Sequence, residues 1–276
     1  MLFGALAATA ALIGSGTALP GAERREDANV VATRGGRDQV RRWIVAHLDS
    51  KAQGHSMAGR LVTLWALLAS IGSLGLLCLV RWLTGSPIPW PAAGAGAVAT
   101  VLAGAFTGRG RLSGTSPGAR DNGTGVLALL EAARRSVDPR TGFLVTGAEE
   151  FGLVGSRIFA RLAGRLEGCE VINLDTLADR GRLFIVTHDR RSQSLAARLR
   201  TTLQPLGVPI QIRRLPPGIL VDSLPPARRG AAAVTLARLD WPVLRLIHTG
   251  RDTLEGLDPG FALGVGEALA GLPARD

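Results

Sequence analysis

The chain has no tyrosine and a single lysine, Lys51, among its 276 residues. Its formal charge of +10 therefore rests almost wholly on arginine. Surfaces that bind nucleic acid cluster basic residues and interleave them with rings that stack on bases. Here aromatic residues make up 4% of the chain and the arginines are dispersed along it, so no nucleic-acid partner is expected. Cysteine is almost absent too. Cys78 lies inside an apolar run, Cys169 lies far from it in a segment of another kind, and neither has a CxxC partner. A disulfide framework and a closed thiolate metal site are both excluded as expectations.

Charge itself is missing over 61–80 (LVTLWALLASIGSLGLLCLV). Twenty uncharged apolar residues are about what a helix needs to cross ~30 Å of hydrocarbon. A second apolar stretch over 92–106 (AAGAGAVATVLAGAF) is rich in Gly and Ala, which let membrane helices approach closely. Three prolines fill the link 84–91, and Trp82 and Trp90 flank it, as rings do at a membrane interface. The pattern predicts a transmembrane helical hairpin over 60–107. The first nineteen residues are apolar as well, but carry no positive region such as opens a secretory signal. Segment 1–20 is read as a further membrane helix, with an uncharged signal and the remnant of a preceding segment as the other readings.

A chain of this length holds one sizeable α/β domain plus an appendage. Outside the apolar runs, strands are expected over 29–33, 43–46, 143–146, 171–174, 183–187 and 243–247. Helices are expected over 125–135, 153–166, 194–203 and 261–270. Such alternation predicts a mixed, largely parallel central sheet with helices on both faces, built from 28–54 and 112–276 and interrupted by the hairpin.

Four of the expected strands run into an acid or a histidine: WIVA into His47, FLVTGA into Glu149 and Glu150, VINL into Asp175, VLRLI into His248. Sites in open α/β sheets form at the carboxyl ends of strands, so these side chains can converge. Asp121 lies in the glycine-rich loop GARDNGTG, just before a helix. Two imidazoles and four carboxylates suit a pair of hydrolytic metal ions with a position left open for water. His188 and Asp189 also follow a strand and are read as surface residues.

The segments VAHLDSK, GARDNGTGVLALLEAAR, TGAEEFGLVGSR, VINLD and IHTGRDTLEGLDP resemble, in order, the motifs of the M28 metallopeptidases, the co-catalytic zinc aminopeptidases. The resemblance implies a zinc aminopeptidase-like fold holding two Zn2+ ions. His47, Glu150, Asp175 and His248 would each ligate one ion, Asp121 would bridge both, Glu149 would be the general base, and Asp49 would orient His47. The implied substrate is a peptide with a free N-terminus. Asp222 stands where the family has an acid followed by His or Tyr; Ser223 follows it here, which puts a substrate-side role there in doubt. Glutaminyl-cyclase-like or carboxypeptidase-like chemistry, and an inactive membrane-bound binding module, are the alternatives. The hairpin between Ser50 and Gly118 is the departure from the family, and it predicts an integral membrane protein with its site near the bilayer surface. Lys51, Arg60, Arg109, Arg111 and Arg120 flank the hairpin's ends, while only Arg81 lies near its link. The positive-inside rule then predicts a cytoplasmic catalytic domain, and Arg24 and Arg25 point the same way.

Overall fold

The computed structural model describes residues 26–108, 114–216 and 219–274. Segment 1–20, Arg24, Arg25, Arg109 and Arg111 lie outside the described residues. In chain order the principal elements are β1 (Val30–Thr33), β2 (Arg42–His47), α1 (Met57–Thr84), α2 (Trp90–Gly108), α3 (Thr124–Arg135), β3 (Thr141–Thr146), α4 (Val154–Leu162), β4 (Glu170–Leu177), β5 (Arg182–Thr187), α5 (Ser192–Leu203), β6 (Ile210–Arg214), α6 (Leu224–Arg228), β7 (Ala232–Leu239), α7 (Trp241–Leu244) and α8 (Gly260–Ala270). They fall into two compact units. One takes in the described residues up to Ser50, Gly118–Asp240 and Leu254 onward; the other takes in Lys51–Pro117 and Trp241–Thr253.

The first unit is built on a seven-stranded mixed sheet in the order β1-β3-β2-β4-β7-β5-β6. Strands β3, β2, β4 and β7 run parallel, β1 is antiparallel to β3 and β5 to β7, and β6 follows β5 in parallel. The sheet is covered on both faces because its central strands are apolar on both. Along β2, Ile44 and Ala46 join Ala128, Leu129 and Ala132 of α3 and Val265 and Leu269 of α8 in one core. The alternate residues Trp43 and Val45 join Phe159 of α4 and Ala227 of α6 in the other, and the Trp43 and Phe159 rings meet edge-on at 5.0 Å. At the amino ends of β2 and β4, the buried Arg42 and Glu170 pair at 2.6 Å. Burying such a pair is tolerable because the charges satisfy each other, Arg198 also reaches Glu170 at 2.5 Å, and Arg42 also donates to the Leu272 and Pro273 carbonyls.

The expected strand over 243–247 is corrected by the structure. Trp241–Leu244 is a short helix, and Leu246 and Ile247 continue it as turns that donate to Val243 O. A short apolar run does not distinguish helix from buried strand by pattern alone, and Pro242 near its start suits a first helical turn. The strands missing from the expected set are β6 and β7, and β7 ends at Leu239, just before this helix.

The second unit is dominated by α1 and α2. Ser56 caps α1, its hydroxyl accepting from Gly59 N at 3.4 Å, and Gly85 ends it in the left-handed region at φ 69°. At 28 residues the helix is about 42 Å long. The two helices are antiparallel: the Ser70 and Thr100 hydroxyls lie 3.0 Å apart, and Leu74 and Leu67 stand over Gly96 and Gly104. Both are long and apolar enough to cross a membrane, and almost none of either apolar window is buried. Trp65, Leu68, Ile71, Leu79, Val98 and Val101 are exposed, a disposition that water disfavours and hydrocarbon accepts.

Candidate metal centre

Three of the expected ligands converge at the carboxyl edge of the parallel strands. His47 is the last residue of β2, and its Nε2 lies 3.3 Å from Asp121 Oδ1 and 4.0 Å from Asp175 Oδ1. The donor atoms of His47, Asp121 and Asp175 all lie within 4.8 Å of one another, and Asp121 and Glu150 have donor atoms within the same distance. Asp121 therefore stands between the His47–Asp175 pair and Glu150. His248 lies in the second unit, in a turn after α7, where its carbonyl accepts from Gln53 N at 2.9 Å.

Local backbone geometry explains how each acid reaches the site. The Asp121 loop leaves Gly118 at φ 66°, where an added Cβ would come within 2.9 Å of Asp121 O; only glycine fits there. The Asp121–Asn122 peptide is cis. Asn122 is buried, and its amide donates to Leu174 O at 2.8 Å while its Oδ1 accepts from Thr176 N at 3.1 Å. One side chain thus ties the loop to β4 on either side of Asp175. Gly125 leaves room for that amide: a Cβ there would meet Asn122 Oδ1 at 2.2 Å and Leu174 O at 2.6 Å. Asp175 lies inside β4, where the pairing with β7 shifts register between Leu174 and Leu177. Non-glycine residues in the left-handed region adjoin the candidate ligands: Ala148 before Glu149 at φ 52°, Thr176 after Asp175 at φ 57°, and His248 itself at φ 63°. Such conformations cost about 1–3 kcal/mol each and gather where function needs them.

Asp49 works mainly on the neighbouring loop. Its two carboxylate oxygens accept from Glu149 N at 2.9 Å and Glu150 N at 3.0 Å. Toward His47 its closer group is the backbone carbonyl, 2.9 Å from Nδ1, with the carboxylate at 3.7 Å. A proton on Nδ1 donated to that carbonyl leaves the Nε2 lone pair facing Asp121 and Asp175, as metal ligation requires. Asn122 and the paired amides under Asp49 escaped the sequence reading. Asn122 adjoins Asp121 in sequence, which is the one signal that could have marked it.

Asp222 is fully buried and accepts from the Thr146 hydroxyl with Oδ2, one strand end away from His47. Ser223 is equally buried, and its hydroxyl lies 2.7 Å from His188 Nε2 and 2.6 Å from Thr235 Oγ1. It is engaged inside the fold. His188 is thus half-buried and bonded rather than a surface residue. Strand β5 is antiparallel to β7, with Thr187 opposite Val234, so its carboxyl end lies away from the edge that carries Asp175.

Burial and neighbouring charges set the proton affinities of the cluster. Burial pushes Asp175 up to about 7, with Asp121 and Glu150 reinforcing the shift and His47 opposing it. Burial likewise holds Glu149 well above the usual carboxylate range, against His47 and with the charges of Asp175, Asp222 and Glu150. Burial would depress His47, but the Asp121 hydrogen bond and the surrounding carboxylates outweigh it and keep the imidazolium well above its ordinary range. Oxygen and nitrogen donors packed this closely fit divalent metal, which removes the need for protons. Near neutral pH, metal must displace protons held by Asp175 and His47, and both displacements favour binding at higher pH. Calorimetric zinc titrations of the metal-free chain should therefore show affinity rising from pH 6 to pH 8. The expected change is on the order of tenfold per pH unit for each proton released. Equal affinity across that range would contradict the assignment of these groups as ligands.

Comparison with known proteins bears on the fold and the family. The chain resembles a zinc aminopeptidase from Bacillus subtilis at 18% identity and TM-score 0.54, over 88% of this chain and 48% of that one. It resembles an aminopeptidase from Aneurinibacillus sp. strain AM-1 at 19% identity and TM-score 0.53, over 88% and 46%. A Bacteroides thetaiotaomicron glutaminyl cyclase bound to N-acetylhistamine aligns at 14% identity and TM-score 0.52, over 88% and 75%. The chain thus spans about half the length of the first two. No curated protein matches it. A sequence model of peptidase family M28 matches residues 102–272, starting within α2 and leaving His47 and Asp49 outside. That match takes in more than half of the sequence and, with a fold shared by zinc aminopeptidases, establishes that the chain belongs to peptidase family M28.

Proposed function

We propose that the chain is a zinc-dependent aminopeptidase with a two-metal site close to a membrane surface. The observation that carries this reading is the packing of His47, Asp121 and Asp175 within 4.8 Å, next to a Glu149–Glu150 pair whose amides are held by Asp49. His47 and Asp175 would hold one Zn2+, Glu150 and His248 the other, with Asp121 shared. The fifth ligand, His248, is assigned by motif. Bound zinc would acidify water and polarise the scissile carbonyl.

The protein's own groups do the rest. The Glu149 carboxylate takes a proton from the attacking water and returns it to the departing amine. Its buried setting raises its proton affinity, which suits a group that must first accept and then donate. Asp49 fixes Glu149 and Glu150 by their backbones, so their carboxylates start from a set position. Asn122 keeps Asp121 between the ends of β2 and β4. A substrate with a free N-terminus would bind with its amine toward the carboxylates.

Zinc-loaded protein should cleave aminoacyl and dipeptide substrates and leave their N-acetylated counterparts uncut. Faster cleavage of acetylated peptides would overturn the aminopeptidase reading. The likeness to a glutaminyl cyclase favours one second reading, and N-terminal glutaminyl peptides separate the two. Release of ammonia with a cyclised product would mark a cyclase.

The hairpin α1–α2 would anchor the chain in a bilayer, with the peptidase domain of 28–54 and 112–276 in the cytoplasm and the link 84–91 outside. With Cys78 and Cys169 replaced by serine, Ser86→Cys should react with a membrane-impermeant thiol reagent in intact cells while Arg140→Cys stays protected. The reverse pattern would place the domain outside.

A further inference from the structure

The unit formed by Lys51–Pro117 and Trp241–Thr253 is one-sided in charge. Residues 51–117 contain no Asp or Glu, and the sole acid of 241–253, Asp252, is fully buried. Its described basic residues are Lys51, Arg60, Arg81, Arg245 and Arg251. All but Arg81 gather at the end of the hairpin opposite the link. Lys51 and Arg60 flank the start of α1. Arg245 and Arg251 are brought there because their segment is bonded to the chain entering α1: Met57 N donates to Ile247 O at 3.4 Å and Gln53 N to His248 O at 2.9 Å.

The outer side of that segment has the composition of a membrane interface. Trp241 is 51% exposed, and Pro242, Arg245 and Arg251 are exposed beside it. Arg251 donates through Nη2 to Arg245 O at 3.0 Å, which orients its guanidinium and leaves further donors for acceptor oxygens. An indole next to arginines, at the foot of an apolar hairpin and with no exposed acid in the unit, matches the phosphate layer of a bilayer in both polarity and charge.

We propose that 241–251, together with Lys51 and Arg60, forms a surface that rests on the headgroups of anionic phospholipids at the foot of the hairpin. This rests on the reading of the hairpin as membrane-spanning.

Amide hydrogen exchange of the full chain in nanodiscs tests this. One set of discs is purely zwitterionic and the other contains about a third phosphatidylglycerol. Exchange over 241–251 should be slower in the anionic discs, on the order of tenfold, since two arginines lose their attraction to the surface in the other set. The difference should vanish at high salt and in Arg245→Gln/Arg251→Gln. Equal exchange over 241–251 in both discs, with 61–80 protected, would overturn the headgroup contact and leave the hairpin reading intact. Unprotected 61–80 would overturn both. Slowing of 241–251 by inorganic phosphate in zwitterionic discs, to the same extent, would show a free-phosphate site and overturn the lipid assignment.

Discussion

Glu149→Gln is expected to lower kcat by about 10²–10⁴-fold while zinc stays bound and KM changes little. The amide keeps the size of the side chain but cannot accept a proton from water. The backbone of residue 149 would still be held by Asp49 Oδ1, so the loop and the neighbouring Glu150 keep their places. Glu150→Gln should behave differently and weaken metal binding, because that carboxylate shares a donor cluster with Asp121. Rates within a fewfold of the parent for Glu149→Gln would move the base role to another group. Loss of zinc from Glu149→Gln would make Glu149 a ligand.

Asp121→Ala should cost metal before it costs structure. Its carboxylate is 3.3 Å from His47 Nε2 and lies in donor clusters with both Asp175 and Glu150, so its removal takes a ligand from each proposed ion. Losing even an outer hydrogen-bond partner of a ligand lowers metal affinity by roughly 10–100-fold; losing a shared ligand should exceed about a hundredfold. Equilibrium dialysis against buffered zinc reads this directly. Circular dichroism should be unchanged, since Asn122 still ties the loop to Leu174 and Thr176. Two tightly held zinc ions in Asp121→Ala would remove Asp121 from the site.

The parts of this arrangement that could be read from sequence were those where one residue type answers one physical demand. His47 closes a strand whose six residues are all buried, and such a run into a histidine is visible as letters. The hairpin was visible for the same reason, although its helices run longer than the apolar runs because Ser56 and Gly85 set the ends of α1. Strands β6 and β7 were not visible. IQIRR and AAVTLARL carry arginines and alanines that fit an amphipathic surface as well as a strand. Nor did sequence separate Asp49 as an orienter of His47 from Asp49 as an acceptor for two loop amides. That distinction depends on the course of the turn after β3, where Ala148 takes a left-handed conformation. The contacts of Ser223 were equally hidden: its bonds to His188 and Thr235 join residues far apart in sequence.

Two metal ions on this chain are proposed to support hydrolysis from a free N-terminus. Adding zinc stepwise to metal-free protein, while counting bound metal by elemental analysis and following cleavage of an aminoacyl substrate in the same samples, tests this most directly. No cleavage is expected without metal, and full activity is expected at two zinc ions per chain. Cleavage by the metal-free protein, or a chain that binds no zinc, would contradict the proposal.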